Sequence, residues 1–215
     1  MITRRQWSDL VKNAETPVFK LALLGGLSSL GSALMAELLK RQHEVIAVVD
    51  DLNSLAPRPG LHFKSGGLNN PDQAEQSVAG GSAVICLLAA LAPDDFAAQL
   101  RMSQALIAGM ARTTIRRLLL VGDFDVLDHS EGHSEQQRAC ADQIVDLLQR
   151  SPLHWTLVNT PQQVAGLGIE HFHQTHGTLE PGLAEPLQRL ARVAAAMVDA
   201  LELKLHHGEH VNFVF

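Results

Sequence analysis

The chain has 215 residues, 17 Lys and Arg against 23 Asp and Glu, and a formal net charge of −6. Its length fits one domain, 46% hydrophobic and 19% charged residues exclude a disordered chain, and an acidic chain without a basic run is a poor partner for nucleic acid. No stretch reaches the roughly 18 consecutive apolar residues of a membrane span, Arg4, Arg5, Asp9, Lys12 and Glu15 break up any signal-peptide core, and two cysteines, Cys86 and Cys140, give no disulfide framework, so a cytoplasmic location without membrane contact is expected.

Residues 1–17 read as an N-terminal extension, with a short helix over Ser8–Ala14, and 18–215 as the domain proper. Val18–Leu24 is a short apolar run stopped by Gly25-Gly26, which favours a buried strand. Leu30–Arg41 carries Leu30, Leu34 and Leu38 on one helical face. Glu44–Val49 is a β-branched second strand, and Leu61–Lys64 a weaker third. Pro71 starts a helix to Val78. Ser82–Leu88 predicts a fourth strand, Pro93–Arg112 a helix and Arg117–Val121 a fifth strand; Ser134–Arg150 predicts a helix and His154–Val158 a sixth strand. Glu185–Leu203 is a last helix, and Val211–Phe215 an edge strand. Strands and amphipathic helices in alternation predict an α/β fold, a doubly wound parallel sheet of the Rossmann type in a single domain. Pro161–Pro186 is long for a loop and predicts a lid beside the ligand crevice.

The first turn reads Gly25-Gly26-Leu27-Ser28-Ser29-Leu30-Gly31. In the dinucleotide fingerprint the first glycine makes the turn, the second lets backbone approach a pyrophosphate, and the third lets helix and strand pack. Gly26 and Gly31 keep that spacing, or Gly25 and Gly31 a longer variant of it, with Ser28 in the middle position either way. Its hydroxyl either donates to a phosphate or caps the helix. Asp50 ends the second strand about 20 residues beyond Gly31, where the fingerprint has an acid for the ribose hydroxyls.

On the segments Lys20–Gly25, His43–Val45, Ala83–Leu88, Arg117–Gly122 and His154–Val158, the sequence resembles the NmrA-like, NAD(P)H-binding branch of the atypical short-chain dehydrogenases. That branch includes proteins of the NADH-flavin reductase and biliverdin reductase B types. The resemblance implies a dinucleotide seat over Gly25, Gly26, Ser28, Ser29, Gly31, Asp50, Ala89 and Ala90, and hydride transfer to a small planar acceptor such as a flavin. Three departures qualify it. Relatives carry Gly where this chain has Ser28. Many carry an NADP-reading Arg where it has Asp50, so NAD(H) is expected over NADP(H). They often carry Asp where it has Gly67, so a polar contact near adenine is expected to be gone.

The chain contains no tyrosine, which excludes the Tyr-Lys acid of ordinary short-chain dehydrogenases. Asp123, Asp125 and His129 are then the positional candidates for a catalytic acid, each with a plain loop or capping role as the alternative. His171-x-His173-x-x-His176 matches no firm zinc template, and no metal is expected. The alternative to an enzyme is a non-catalytic dinucleotide sensor or protein-interaction module, with a protein partner or a second copy of the chain in place of the acceptor.

Overall fold

A computed structural model describes residues 18–54, 56–124, 127, 133–159, 161, 164–173 and 182–213. The elements in chain order are β1 (Lys20–Leu24), α1 (Ser29–Lys40), β2 (Glu44–Val49), β3 (Leu61–Ser65), α2 (Pro71–Val78), β4 (Ala83–Leu87) and α3 (Leu88–Leu91). They continue with α4 (Phe96–Ala111), β5 (Arg117–Gly122), α5 (Glu135–Gln149), β6 (His154–Asn159), α6 (Ile169–His173), α7 (Ala184–Glu202) and β7 (Glu209–Val211). The seven strands form one sheet in the order β3-β2-β1-β4-β5-β6-β7, and every pairing is parallel. This is the doubly wound, Rossmann-like arrangement, whose strand order reverses between β1 and β4.

β1 and β4 are buried almost along their whole length, as continuous apolar strands covered on both faces should be. One core lies under α1 and α7 and includes Leu21, Leu30, Leu34, Val45, Ile85, Val193 and Met197. The other lies under α2, α4 and α5 and includes Ala22, Val84, Leu106, Leu120, Ile144 and Trp155. The helices α2 and α4 touch backbone to backbone: a Cβ at Gly109 would lie 2.7 Å from Glu75 N and Pro71 O. At the amino end of the sheet Arg41 joins α1 to α7 through Asp199 (2.6 Å) and Glu202 (2.7 Å). Buried His43 accepts from Phe19 N and faces Glu202 at 2.8 Å.

Element boundaries depart from the sequence reading in a few places, each with a local cause. The fourth helix starts at Phe96 rather than Pro93, because the Asp95 side chain accepts from Ala98 N and Asp94 has φ 57°. The last strand runs over 209–211 rather than 211–215, in register with Thr156–Val158. Residues 214–215 and the helix expected over 8–14 lie outside the described residues.

The segment after β6 corrects the lid expectation over its described part. Leu167 and Ile169 are buried within the core under α1, and Val164 and Phe172 pack on it. Val164 N donates to Ser29 Oγ at 3.2 Å, and Glu170 pairs with Arg58 at 2.7 Å. Residues 164–173 are therefore a strap packed along α1, held by the apolar contacts that a loose lid lacks. No helix among the described residues is long and apolar enough to cross a membrane.

Candidate functional site

Ligands of open parallel sheets bind beyond the carboxyl ends of the strands, where the strand order reverses. A cleft of about 840 Å³ opens at that place, between the β1–α1 turn and the ends of β2 and β3. Gly25, Gly26, Ser28, Asp50 and Ala90 all line it, together with Leu27, Leu91 and Met102. The sequence thus brings five of its eight predicted seat residues to one surface.

The glycines act as their positions require. Gly25 has φ +82°, a conformation L side chains rarely adopt, and a Cβ there would lie 2.9 Å from Leu87 Cβ. A Cβ at Gly31 would lie 2.5 Å from Gly25 O and 2.6 Å from Gly26 Cα, so the first turn of α1 rests directly on the chain leaving β1. Gly31 is a packing residue beneath the cleft.

Ser28 settles as the helix cap. Its Oγ accepts from Gly31 N at 3.0 Å and donates to Gly25 O at 2.9 Å, and Ser28 N donates to Gly25 O at 3.2 Å. The one hydroxyl proton is thus engaged within the turn. Two predicted seat residues lie elsewhere. Ser29 is buried and receives Val164 N, so it ties α1 to the strap. Ala89 is buried in α3 and does not line the cleft, because the chain turns helical immediately after β4 and turns Ala90 and Leu91 outward instead.

Asp50 is exposed at the end of β2 and is the only charged side chain lining the cleft among the described residues. Arg58, the nearest downstream cation in sequence, is bound to Glu170 instead. Glu170 is held below the usual carboxylate range, first by its own backbone N–H and then by Arg58, against the opposing effect of its burial.

The far wall holds what the sequence reading missed. Asn69, Gln73 and Gln76 line the cleft beside Gly66 and Gly67. The Asn69 Nδ2 and Gln73 Oε1 atoms each lie 3.6 Å from where a Cβ of Gly67 would stand. Gly67 is pinned from below by buried Ser77, whose Oγ accepts from Gly67 N (2.9 Å) and donates to Gly67 O (3.1 Å). Beside Gly67, where a polar side chain is missing, the cleft is lined by side-chain amides two, six and nine residues later. The signal was in the sequence: Asn69-Asn70-Pro71 places polar residues at a helix start just after a strand end, and Asn70 caps α2 by accepting from Gln73 N.

Of the candidate acids, Asp123 is the one within the described residues, and it does not line this cleft. Asp123 follows β5, and its Oδ2 accepts from Gln99 Nε2 at 3.3 Å. Asp125 and His129 lie outside the described residues, as does His176. His171 Nδ1 accepts from Gly168 N at 3.1 Å, and burial and then Arg58 hold the His173 imidazole below its ordinary value. Asn159 Oδ1 faces His210 Nε2 at 2.8 Å. Cys86 is wholly buried, which pushes its thiol far above the ordinary range and leaves it inert. Among the described residues no three His, Cys, Asp or Glu side chains gather as a metal site.

Residues 25–202 match the family model described as NAD(P)H-binding. The chain belongs to the NAD(P)H-binding family. No curated protein matches it in sequence. Among solved structures it is similar to a protein of Streptococcus pneumoniae provisionally described as an NADH-flavin reductase, at 23% identity over 90% of this chain and 98% of that one, with a TM-score of 0.60. It is similar to a short-chain dehydrogenase/reductase of Veillonella parvula in complex with NADP, at 14% identity over 91% and 94% of the two chains, TM-score 0.60. The Bordetella bronchiseptica enzyme WbmH in complex with NAD+ shares 17% identity over 91% of this chain and 75% of that one, TM-score 0.64. At these identities the likeness is one of fold, and it agrees with the resemblance to the atypical short-chain dehydrogenases.

At its β2–β3 end the cleft offers a carboxylate acceptor from Asp50 and amide donors and acceptors from Asn69, Gln73 and Gln76, and the α1 N-terminus points its dipole at the turn.

Proposed function

We propose that the protein binds NAD(H) in preference to NADP(H) and supports hydride transfer to a small planar acceptor such as a flavin. The observation that carries the cofactor preference is the charge of the cleft: Asp50 lines it, and no Lys or Arg does among the described residues. A 2′-hydroxyl can donate to that carboxylate, whereas a 2′-phosphate meets like charge without a cation to offset it.

The bound nicotinamide supplies the hydride. The protein's part is to hold donor and acceptor rings in register and to exclude water from between them. With no tyrosine in the chain, a proton for the reduced acceptor comes from solvent, and a flavin-type acceptor tolerates this because its protonation needs no dedicated side-chain acid. Leu27 and Leu91, at 52% and 37% exposure, and Met102 give the cleft an apolar lip against which a planar ring can pack.

A second reading, a dinucleotide sensor without turnover, is favoured by one observation, the engagement of the Ser28 hydroxyl within its own turn. NADH consumption with riboflavin or FMN as acceptor separates the two. Turnover that saturates in both substrates supports the enzyme; NADH binding by calorimetry with no turnover above the free-solution rate supports the sensor.

A further inference from the structure

The end of the sheet opposite the cleft gathers cations without a carboxylate to answer them. Arg117 opens β5, His154 opens β6, and the two residues are partners in register. Arg117 Nη1 donates to His154 O (3.0 Å) and Thr156 Oγ1 (2.8 Å), and Nη2 donates to Ala200 O (3.3 Å) and Leu205 O (2.9 Å). These partners are carbonyls and a hydroxyl, and the carbonyl end of α7 takes part of the guanidinium charge. Thr156 Oγ1 donates in turn to His206 O at 2.6 Å, and Gly208 N to Trp155 O at 2.7 Å. Together these bonds hold the turn after α7, in which Lys204 and His206 keep left-handed φ angles of 54° and 58°. The turn sets the exposed His207 ring on that of His154, with centroids 5.0 Å apart and planes at 27°.

Two imidazoles in contact invite a metal, and their surroundings oppose one. Partial desolvation first, then Arg117, His154 and Lys204, disfavour the charged form of His207. Among the described residues none of these four side chains is within ion-pair distance of a carboxylate. The acids of the neighbouring elements are engaged elsewhere: Glu209 of β7 with His206 at 2.7 Å, and Asp199 and Glu202 of α7 with Arg41. Groups that are cationic, or become so on protonation, thus stand together in a chain of net charge −6. Such a field repels a metal ion and draws an anion.

We infer that His154, His207 and Lys204, backed by Arg117, form a site for a doubly charged oxyanion of the phosphate type, whose binding draws a proton from solvent onto the imidazoles. Imidazolium N–H groups and the Lys204 ammonium donate to the oxyanion, and its charge supplies what the four side chains lack. The site is independent of the cleft and of any cofactor bound there.

The test follows the histidine ring resonances of the full chain by proton–carbon NMR as pH is varied, in sodium sulfate and in sodium chloride at equal ionic strength. Sulfate is the probe because it stays doubly charged throughout the range in which imidazole titrates. The titration midpoints of His154 and His207 are expected to rise by at least about half a pH unit in sulfate, while that of His62, on the far edge strand β3, stays where it is in chloride. By calorimetry, sulfate affinity is expected to weaken about tenfold between about pH 6 and about pH 8. His207→Gln is expected to weaken it about tenfold and Lys204→Gln about threefold, and the exposed Lys204 supplies the test should His207→Gln fail to fold. Equal midpoints in the two salts overturn the inference, as does a shift that both variants leave intact. Zinc binding that His207→Gln abolishes overturns it too, by making the pair a metal chelate. Inorganic phosphate and vesicles of phosphatidic acid in phosphatidylcholine then compete with sulfate as two sources of the same group, the second because Leu203 and Leu205 stand 66% and 43% exposed beside Lys204. Displacement by phosphate alone assigns a free ion, retention on vesicles that Lys204→Gln removes assigns a lipid headgroup, and failure of both overturns the phosphate type.

Discussion

The β1–α1 turn and the β3–α2 turn are both strand-to-helix connections that carry a glycine pair at the rim of the same cleft, and they solve the packing problem in opposite ways. In the first, helix and strand are brought together by backbone: Gly31 rests on Gly25 O and Gly26 Cα, and Ser28 closes the turn on itself. In the second, a side chain does the work. Ser77 reaches up from α2 and holds both polar groups of Gly67, leaving Asn69 and Gln73 turned outward. The comparison teaches that a glycine in a fingerprint and a glycine in a loop can look alike in sequence and differ in what they tolerate.

That difference can be broken by substitution. Gly31→Ala should be the most damaging change, at about 3 kcal/mol, because the added methyl meets backbone that cannot move without shifting β1 or α1. Gly67→Ala should cost no more than about 0.5 kcal/mol, since its Cβ would find only ordinary contacts at 3.6 Å. Denaturant midpoints at constant slope measure both, and equal losses would contradict the contrast. Next in size, Ser77→Ala should cost about 1–2 kcal/mol by leaving the Gly67 amide without its partner. The same variant should also weaken ligand binding at the β2–β3 end, because the loop bearing Asn69 loses its anchor. A stability loss with unchanged binding would show that Ser77 is structural alone.

The strand and helix order was legible because apolar runs ended by Gly25-Gly26, Asp50-Asp51 and Gly122 are unambiguous, and the interior strands are buried apart from their first residues. Glycine spacing likewise placed the turn, and the strand-end acid placed Asp50 in the cleft. What was not legible depends on side-chain direction. Ala89 and Ala90 are identical in sequence, and only the helix beginning at Leu88 decides that one is buried and the other faces the cleft. The Ser28 hydroxyl had two chemically reasonable partners, and the cap geometry selects the local one. Pro161–Pro186 read as a loop because its His, Gly and Pro content conceals Leu167 and Ile169, which the strap buries against α1.

A smaller effect lies at the opposite end of the sheet, far from the cleft. Partial desolvation of the exposed His207 imidazole first, then Arg117, His154 and Lys204, hold it below its ordinary value, and its ring stacks on that of His154 at 5.0 Å. A histidine with a lowered folded-state pKa favours the fold while it is neutral. Its contribution is present above the ordinary histidine range near pH 6.5 and is lost as pH falls through the folded value. Stability should therefore decline on acidification below about pH 6.5, and His207→Gln should flatten that decline slightly without touching NADH affinity. A steeper decline in the variant would contradict the sign.

The central claim, a cleft in which the Asp50 carboxylate selects the cofactor, is tested most directly by titrating the unmodified protein with NADH and NADPH in parallel at one ionic strength. The account predicts NADH tighter by at least about tenfold, the equivalent of roughly 1.4 kcal/mol of repulsion left after solvent screening between Asp50 and a 2′-phosphate, with the gap closing in Asp50→Asn. NADPH binding as tightly as NADH, or more tightly, would contradict it.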